Sequence, residues 1–444
     1  MAPPGSIVVI GGGFAGLSCA VALAGHGARV TLLEARREPG GRATSFVDGE
    51  SGDVVDNGQH LFMACYGSTR AFLETIGAAD RVRYQRRLRV DYLEPGRRTV
   101  LRGAPLPAPW HLVAGLLAMK GLGARDRAAL LAAGPALRRL ADPATARDLE
   151  AVTVSDWLDR LGQTPALRRL LWHPLAIATL NASPRTAPAS LLACVLREGF
   201  LARASDSGLG VATVGLSELY AEPARRWLEA RGARVTTGAP VAQLRVEGDG
   251  VRAAVLRDGT ELPADAFVCA VPPDAARRLG VPVDGLERFA SSPIVSINLW
   301  PERPLRSLDA VDFAAMPDGT IHWIFNKGRI LGEGAGHLAA VISAADGLGE
   351  RLNEELARLA WDELGACLPE ARAIPLRRWM VVRERTATFS ATVETEPLRP
   401  GPRTAWRNLL LAGDWTMRGM PATIESAVRS GQGCARMLLH QGTR

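Results

Sequence analysis

Hydrophobic positions along the chain fall into two patterns. Short β-branched or aliphatic runs at 6–10, 28–33, 234–237, 266–271 and 409–412 read as strands, and the runs at 6–10 and 266–271 have the continuous apolar character of strands buried on both faces. Residues 17–25 are alanine-rich and helical, so the first 34 residues predict a strand–turn–helix–strand unit. An amphipathic helix is expected over 216–231, and a hairpin joins 241–246 to 251–256 across Glu247-Gly248-Asp249-Gly250. From 70 to 200 the pattern changes to Ala, Leu and Arg at helical spacing, with strand character legible only over 81–101. Residues 290–395 mix strands at 295–300 and 337–343 with a helix at 348–368, and a last helix starts near Thr423. One α/β domain is therefore expected in three pieces, 1–75, 205–285 and 395–444. A second, α+β domain fills 76–204 and 286–394.

Composition narrows the class. With 47% hydrophobic and 22% charged residues over 444 positions, the chain is an ordinary globular one, not disordered, collagenous or a coiled coil. The net charge is +7, and all cations but Lys120 and Lys327 are arginine. Such an alanine- and arginine-rich balance reads as a genomic bias, not a nucleic-acid surface, while leaving an anionic membrane as a fitting partner. Six scattered cysteines without C-x-x-C spacing read as reduced thiols of a cytoplasmic protein. No apolar run reaches the ~18 residues of a membrane span, and Met1-Ala2-Pro3-Pro4-Gly5 carries no basic leader region.

The turn after the first strand is G-x-G-x-x-G, filled by Gly11, Gly13 and Gly16 around Phe14 and Ala15, with Glu34 23 residues beyond Gly11. Gly11 permits the tight turn, Gly13 lets backbone approach a pyrophosphate, and Gly16 lets helix and strand pack closely. The helix N-terminus faces the phosphates, and Glu34, followed by Ala35, meets the adenosine ribose. Three features favour FAD over NAD. Gly40-Gly41-Arg42 offers close backbone and a guanidinium to a phosphate. Gly413-Asp414 ends an apolar strand with a carboxylate suited to ribityl hydroxyls. Pro421-Ala422-Thr423-Ile424 opens a helix whose N-terminus suits the electron-rich flavin ring. No Cys or His lies in 413–427, so the FAD is expected to be non-covalent.

In these motifs the chain resembles the FAD-dependent amine oxidase and phytoene desaturase superfamily. Narrower stretches are Asp56-Asn57-Gly58-Gln59-His60-Leu61, 175–184, 386–389 and Ala412-Gly413-Asp414-Trp415-Thr416. These resemble the squalene-associated FAD-dependent desaturases, the hydroxysqualene dehydroxylase family of bacterial hopanoid biosynthesis, over about residues 5–437. The chain departs from that pattern at Trp172-His173-Pro174 and Met417-Arg418-Gly419-Met420. The resemblance implies a Rossmann-like FAD-binding domain of the glutathione-reductase type with an inserted substrate domain. It implies that Asn57, Gly58 and Gln59 approach the flavin and that Val241 meets the adenine through its backbone. The implied reaction reduces hydroxysqualene, an allylic triterpene alcohol, to squalene. It needs a proton for the departing hydroxyl and a hydride for the carbon, inside an apolar channel.

Few residues qualify for the polar chemistry. His60 is the leading proton donor, with Asp56 as its orienting partner and His173 and Asp206 as further candidates. The remaining histidines show no metal-ligand spacing. Residues 104–140 place Trp110, Leu112, Leu116 and Met119 beside Lys120, Arg125, Arg127 and Arg138, the composition of a helix resting at the inner face of a membrane. Two other readings stay open: an oxidising carotenoid-type desaturase or amine oxidase, and a flavin-binding scaffold without chemistry. The reductant is not legible.

Overall fold

The computed structural model describes residues 5–332, 336–348 and 350–441. At its centre is a sheet of five strands: β1 (Ser6–Ile10), β2 (Arg29–Leu33), β3 (Arg234–Thr236), β4 (Ala266–Cys269) and β5 (Leu409–Leu411), in the order β3-β2-β1-β4-β5. Every neighbouring pair is parallel. Alternate residues of β1 serve different cores. Ile7 and Val9 pack with helix α1 (Phe14–Gly25), while Val8 and Ile10 join the larger core on the other face. A strand buried on both faces has no polar side to show, which is why it reads as a continuous apolar run.

Helix α1 crosses α2 (Ile424–Gln441), the last element of the chain. The crossing is tight enough that a Cβ on Gly431 would lie 2.1 Å from the Ala15 carbonyl oxygen. Gly16 makes the matching approach to the sheet, where a Cβ would meet the Gly11 carbonyl oxygen at 1.9 Å. The first and last helices among the described residues are thereby packed against one another.

A second sheet has seven strands in the order Leu376–Phe389, Ser291–Pro301, Leu338–Ile342, Trp323–Asn326, Phe313–Ala315, Arg89–Glu94 and Arg97–Arg102. Its pairs are antiparallel except Phe313–Ala315 with Arg89–Glu94. Period-two alternation divides its faces. Leu338, Ala340 and Ile342 pack with Leu356 and Leu364 of the helix Asn353–Cys367, while Ala339 and Val341 belong to the core on the opposite side. That opposite face looks into a cavity roofed by short helices, among them Trp110–Ala118, Ala124–Ala132 and His173–Leu180.

The fold class is the α/β arrangement expected, and the five central strands lie within two residues of the predicted runs. Three local expectations change. The 81–101 stretch is not one strand: Val82–Tyr84 joins a separate small sheet, and Arg89–Glu94 and Arg97–Arg102 form a hairpin. The predicted helix 348–368 is observed as Asn353–Cys367, and position 349 lies outside the described residues. The 14-residue strand Leu376–Phe389 was not anticipated, because its run of arginines masks any apolar alternation. It occupies a sheet edge, where charged side chains reach solvent.

The α1–α2 crossing gives a stability prediction. Gly to Ala in an exposed helix gains about 1 kcal/mol. At Gly431 the added methyl meets backbone at 2.1 Å, so overpacking of about 1–3 kcal/mol decides the sign. Gly431→Ala should lower the thermal unfolding midpoint; a raised midpoint would contradict this packing.

Candidate functional site

Parallel strands end at the same edge of a sheet, so the turns after β1, β2, β4 and β5 converge. Gly11, Glu34, Val271 and Gly413 all face one cavity of 1280 Å³. That exceeds the roughly 300–1,000 Å³ of a single ligand site, leaving room for a cofactor and a further molecule.

One end is a polar trough. Glu34 Oε2 accepts the Gly12 amide at 2.7 Å and Oε1 accepts the Arg36 amide at 2.8 Å, which fixes the carboxylate beside the glycine loop. Gly40 donates its amide to the Gly12 carbonyl at 2.8 Å, and a Cβ on Gly41 would come 3.1 Å from Gly13 Cα. Two backbone turns thus pack without side chains between them. Tyr220 donates its hydroxyl to the Gly40 carbonyl and stacks on Phe14 at 3.5 Å between ring centroids. Helix α1 has no side-chain cap at Gly13 and no acid in its first turn, so its N-terminal amides stay available to an anion in the trough. Ala15, Ala35 and Val241 also line this part, while Gly16 lies beneath the loop. A fixed carboxylate beside a glycine cradle with free amides fits an adenine dinucleotide.

Further along, Arg42 donates to Asp414 Oδ1 at 2.6 Å and to the Ala387 carbonyl at 2.9 Å. Asn57 donates to the Arg42 carbonyl at 2.5 Å and to Glu384 Oε2 at 3.3 Å, while its Oδ1 accepts the Thr44 amide at 3.1 Å. Gly58, Gln59, Ala422, Thr423 and Ile424 complete this wall; Pro421 sits one residue outside it. The segment after β5 is held from below by a fully buried pair, Arg399–Glu396 at 2.9 Å. Arg399 also donates to the carbonyls of Asp414 at 2.6 Å and Met420 at 2.7 Å, and Glu396 accepts the Gly419 amide at 2.6 Å.

The other end is apolar. Tyr92, Leu101, Trp323, Phe325 and Val341 of the second sheet face Leu112 and Leu116 of the helical roof. Trp110 and Leu131, which also line the cavity, are 54% and 51% exposed, so the chamber opens between apolar side chains on the surface.

The structure redistributes the polar candidates. His60 lines the cavity and its Nδ1 lies 2.9 Å from the Gly58 carbonyl. That bond assigns the Nδ1 proton and leaves Nε2 for the cavity. Burial lowers its pKa from the ordinary histidine value; Arg42 and Lys327 add to the lowering, against the Gly58 bond and Asp56. Asp56 does not orient His60. Its Oδ2 accepts from Lys327 Nζ at 2.6 Å and its Oδ1 accepts the Leu216 amide at 3.0 Å, so the carboxylate is consumed behind the wall. His173 is also off the cavity. Leu171, Leu175 and Ala178 turn inward at helical spacing, which carries His173 to the opposite side, into a smaller pocket with Gln163 and His322. Asp206 is paired with Arg203 at 3.1 Å and does not line the cavity.

Two residues escaped the sequence reading. Glu384 faces the cavity, its Oε1 accepting the Thr386 amide at 3.2 Å and hydroxyl at 3.1 Å. Within Arg383-Glu384-Arg385 it looks like part of a solvated charge run; its closeness to the distinctive 386–389 stretch was the available signal. Lys327 looks like a surface cation in the sequence, yet it is buried at 2% exposure; its rarity in an arginine-rich chain was the signal.

Comparisons with known proteins agree with this geometry. A family model described as flavin containing amine oxidoreductase matches residues 14–439. The chain is 33% identical to a hydroxysqualene dehydroxylase of Rhodopseudomonas palustris, over 98% of this chain and 99% of that protein. It is 31% identical to a hydroxysqualene dehydroxylase of Zymomonas mobilis, over 97% and 98% respectively. Cyclohexylamine oxidase from Brevibacterium oxydans superposes with a TM-score of 0.72 at 18% identity, covering 100% of both chains, a likeness of fold.

Glu34→Ala tests the trough. It should weaken FAD binding to the apoprotein by about 1.5–3 kcal/mol, roughly ten- to hundred-fold in Kd, measured by fluorescence titration. Unchanged affinity would mean that this carboxylate does not meet the ribose.

Proposed function

The chain belongs to the flavin-containing amine oxidoreductase family, and on that premise we propose that it reduces hydroxysqualene to squalene by dehydroxylation, with non-covalent FAD. The observation that carries this reading is the full-length likeness to hydroxysqualene dehydroxylases, at 33% and 31% identity. The cavity supports it: a dinucleotide trough continues into an apolar chamber that offers a hydrocarbon chain little but apolar wall.

In this reading the pieces 1–75, 205–285 and 395–444 form the FAD-binding domain and the rest the substrate domain. Gly11, Gly13, Gly41 and Glu34 would hold the adenosine and pyrophosphate. Arg42, Asp414 and the N-terminus of α2 would hold the ribityl chain and the ring. The flavin, when bound and reduced, supplies the two electrons as hydride. The chain's residues do the remainder. His60 Nε2 would deliver the proton with which the hydroxyl oxygen leaves as water when the carbon–oxygen bond breaks, and the chamber would hold the allylic carbon within reach of the bound flavin. The apolar walls keep out bulk water, which would trap an allylic cation. The depressed His60 pKa makes its imidazolium a stronger acid and a scarcer one near neutrality.

The sign of the pH effect follows. The acid form is needed, and the pKa is lowered below 6.5, so turnover should rise as pH falls toward that pKa and decline above it. The test is anaerobic incubation of the reduced enzyme with hydroxysqualene and analysis of the product. Squalene is expected. His60→Gln should keep FAD while losing about 10²–10⁴ in rate and the acid-side rise. New double bonds formed from squalene by the oxidised enzyme would favour the desaturase reading.

We also propose that the mouth of the chamber rests on a membrane. No helix among the described residues is long and apolar enough to cross one. Trp110 and Leu131, both exposed, lie on roof helices at the cavity, Leu106 is exposed in the loop before the first of them, and Arg125, Arg127, Arg138 and Arg139 supply positive charge in the same stretch. Replacing Trp110 and Leu131 by Glu should abolish cosedimentation with phosphatidylglycerol vesicles while leaving FAD bound. Retained cosedimentation would overturn the assignment.

A further inference from the structure

Lys327 is one of two lysines in a chain whose other 51 cationic side chains are arginine. It opens the short helix Lys327–Leu331, directly after the second-sheet strand Trp323–Asn326. Its ammonium donates to Asp56 Oδ2 at 2.6 Å, with the two side chains 3% and 5% exposed. The other Asp56 oxygen accepts the Leu216 amide at 3.0 Å. One carboxylate therefore joins three stretches distant in sequence: the second sheet, the Asp56-Asn57-Gly58-Gln59-His60 loop, and the segment entering the helix Glu222–Glu229. Neither Lys327 nor Asp56 lines the cavity, whereas every other residue of that loop does.

We propose that Lys327 is a positioning residue. Paired with Asp56, it locks the loop that presents Asn57 and His60 to the cavity, and it balances the charge that His60 faces. This deepens the role given to His60 above and rests on that reading. Three charged groups act on the imidazole: Asp56 favours its protonated form, while Arg42 and Lys327 oppose it. Both members of the pair are buried, so loss of one leaves the other without compensation, whereas replacing both by neutral groups removes the conflict. Removing Lys327 alone takes away one repulsion from His60 and loosens the loop carrying it.

The test is a double-mutant cycle on the flavin-loaded protein, read by NMR titration of labelled histidine, with His60 assigned through His60→Gln. In Lys327→Met the His60 pKa should move up. FAD should bind about tenfold more weakly, because Asn57 no longer holds its place beside Arg42. In the Asp56→Asn/Lys327→Met double variant the His60 titration should return to within a small margin of wild type, while FAD stays weakly bound because the pair that tied the loop is gone. A His60 titration unchanged in Lys327→Met overturns the proposal, as does a double variant in which His60 stays shifted or FAD binds as in wild type. If Lys327→Met fails to fold, the double variant must still fold with His60 titrating as in wild type; its failure to do so also overturns the charge-balancing role. The titration uses no substrate, so its outcome is separate from whether hydroxysqualene is turned over.

Discussion

Everything at the site depends on strand direction. Because β1, β2, β4 and β5 run parallel, their carboxyl ends meet at one edge, and each delivers its next residues to the same trough. Gly11 and Gly13 follow β1, Glu34 follows β2, Val271 follows β4 and Gly413 follows β5. A parallel sheet cannot be made from consecutive hairpins, so the chain must leave and return between strands. The excursions between β2 and β3 and between β4 and β5 build the second sheet and the helical roof. The same constraint that makes the trough therefore places an apolar chamber against it.

Buried and half-buried ion pairs hold the long excursions in register. Arg399–Glu396 carries the carbonyls of Asp414 and Met420 on one guanidinium, which sets the segment between β5 and α2. Arg42–Asp414 ties the glycine pair after β2 to the turn after β5. Lys327–Asp56 ties the second sheet to the loop at the cavity wall. Such pairs add little net stability, since desolvation offsets most of the attraction, but they make wrong arrangements costly. Each joins parts of the chain that hydrophobic packing alone would leave free to slide.

The trough was legible in the sequence because its requirements are local. A tight turn, a close helix and an acid after the next strand leave a fixed spacing, and Gly11, Gly13, Gly16 and Glu34 show it without a structure. The chamber was not legible. Its walls come from strands distant in the chain, and a strand such as Leu376–Phe389, lying at an edge and rich in arginine, carries no apolar period. The polar positions failed for a related reason. Asp56 stands four residues from His60 and reads as its partner, but its partner lies 271 residues away. His173 has apolar neighbours in sequence, yet helical geometry turns it away from the cavity they line. Glu384 and Lys327 belong to the site only through tertiary contacts, so their residue type alone gave no direction.

The proposed function requires one connected volume in which a dinucleotide at the strand ends meets a hydrocarbon in the chamber. A crystal structure of the enzyme with FAD and squalene tests it most directly. The account predicts the adenosine ribose at Glu34, the flavin ring between Asn57 and the start of α2, and the hydrocarbon chain against Tyr92, Trp323 and Phe325 with one allylic carbon about 3–3.5 Å from the ring. Hydrocarbon density outside the chamber, or a flavin ring sealed off from it, would contradict the account.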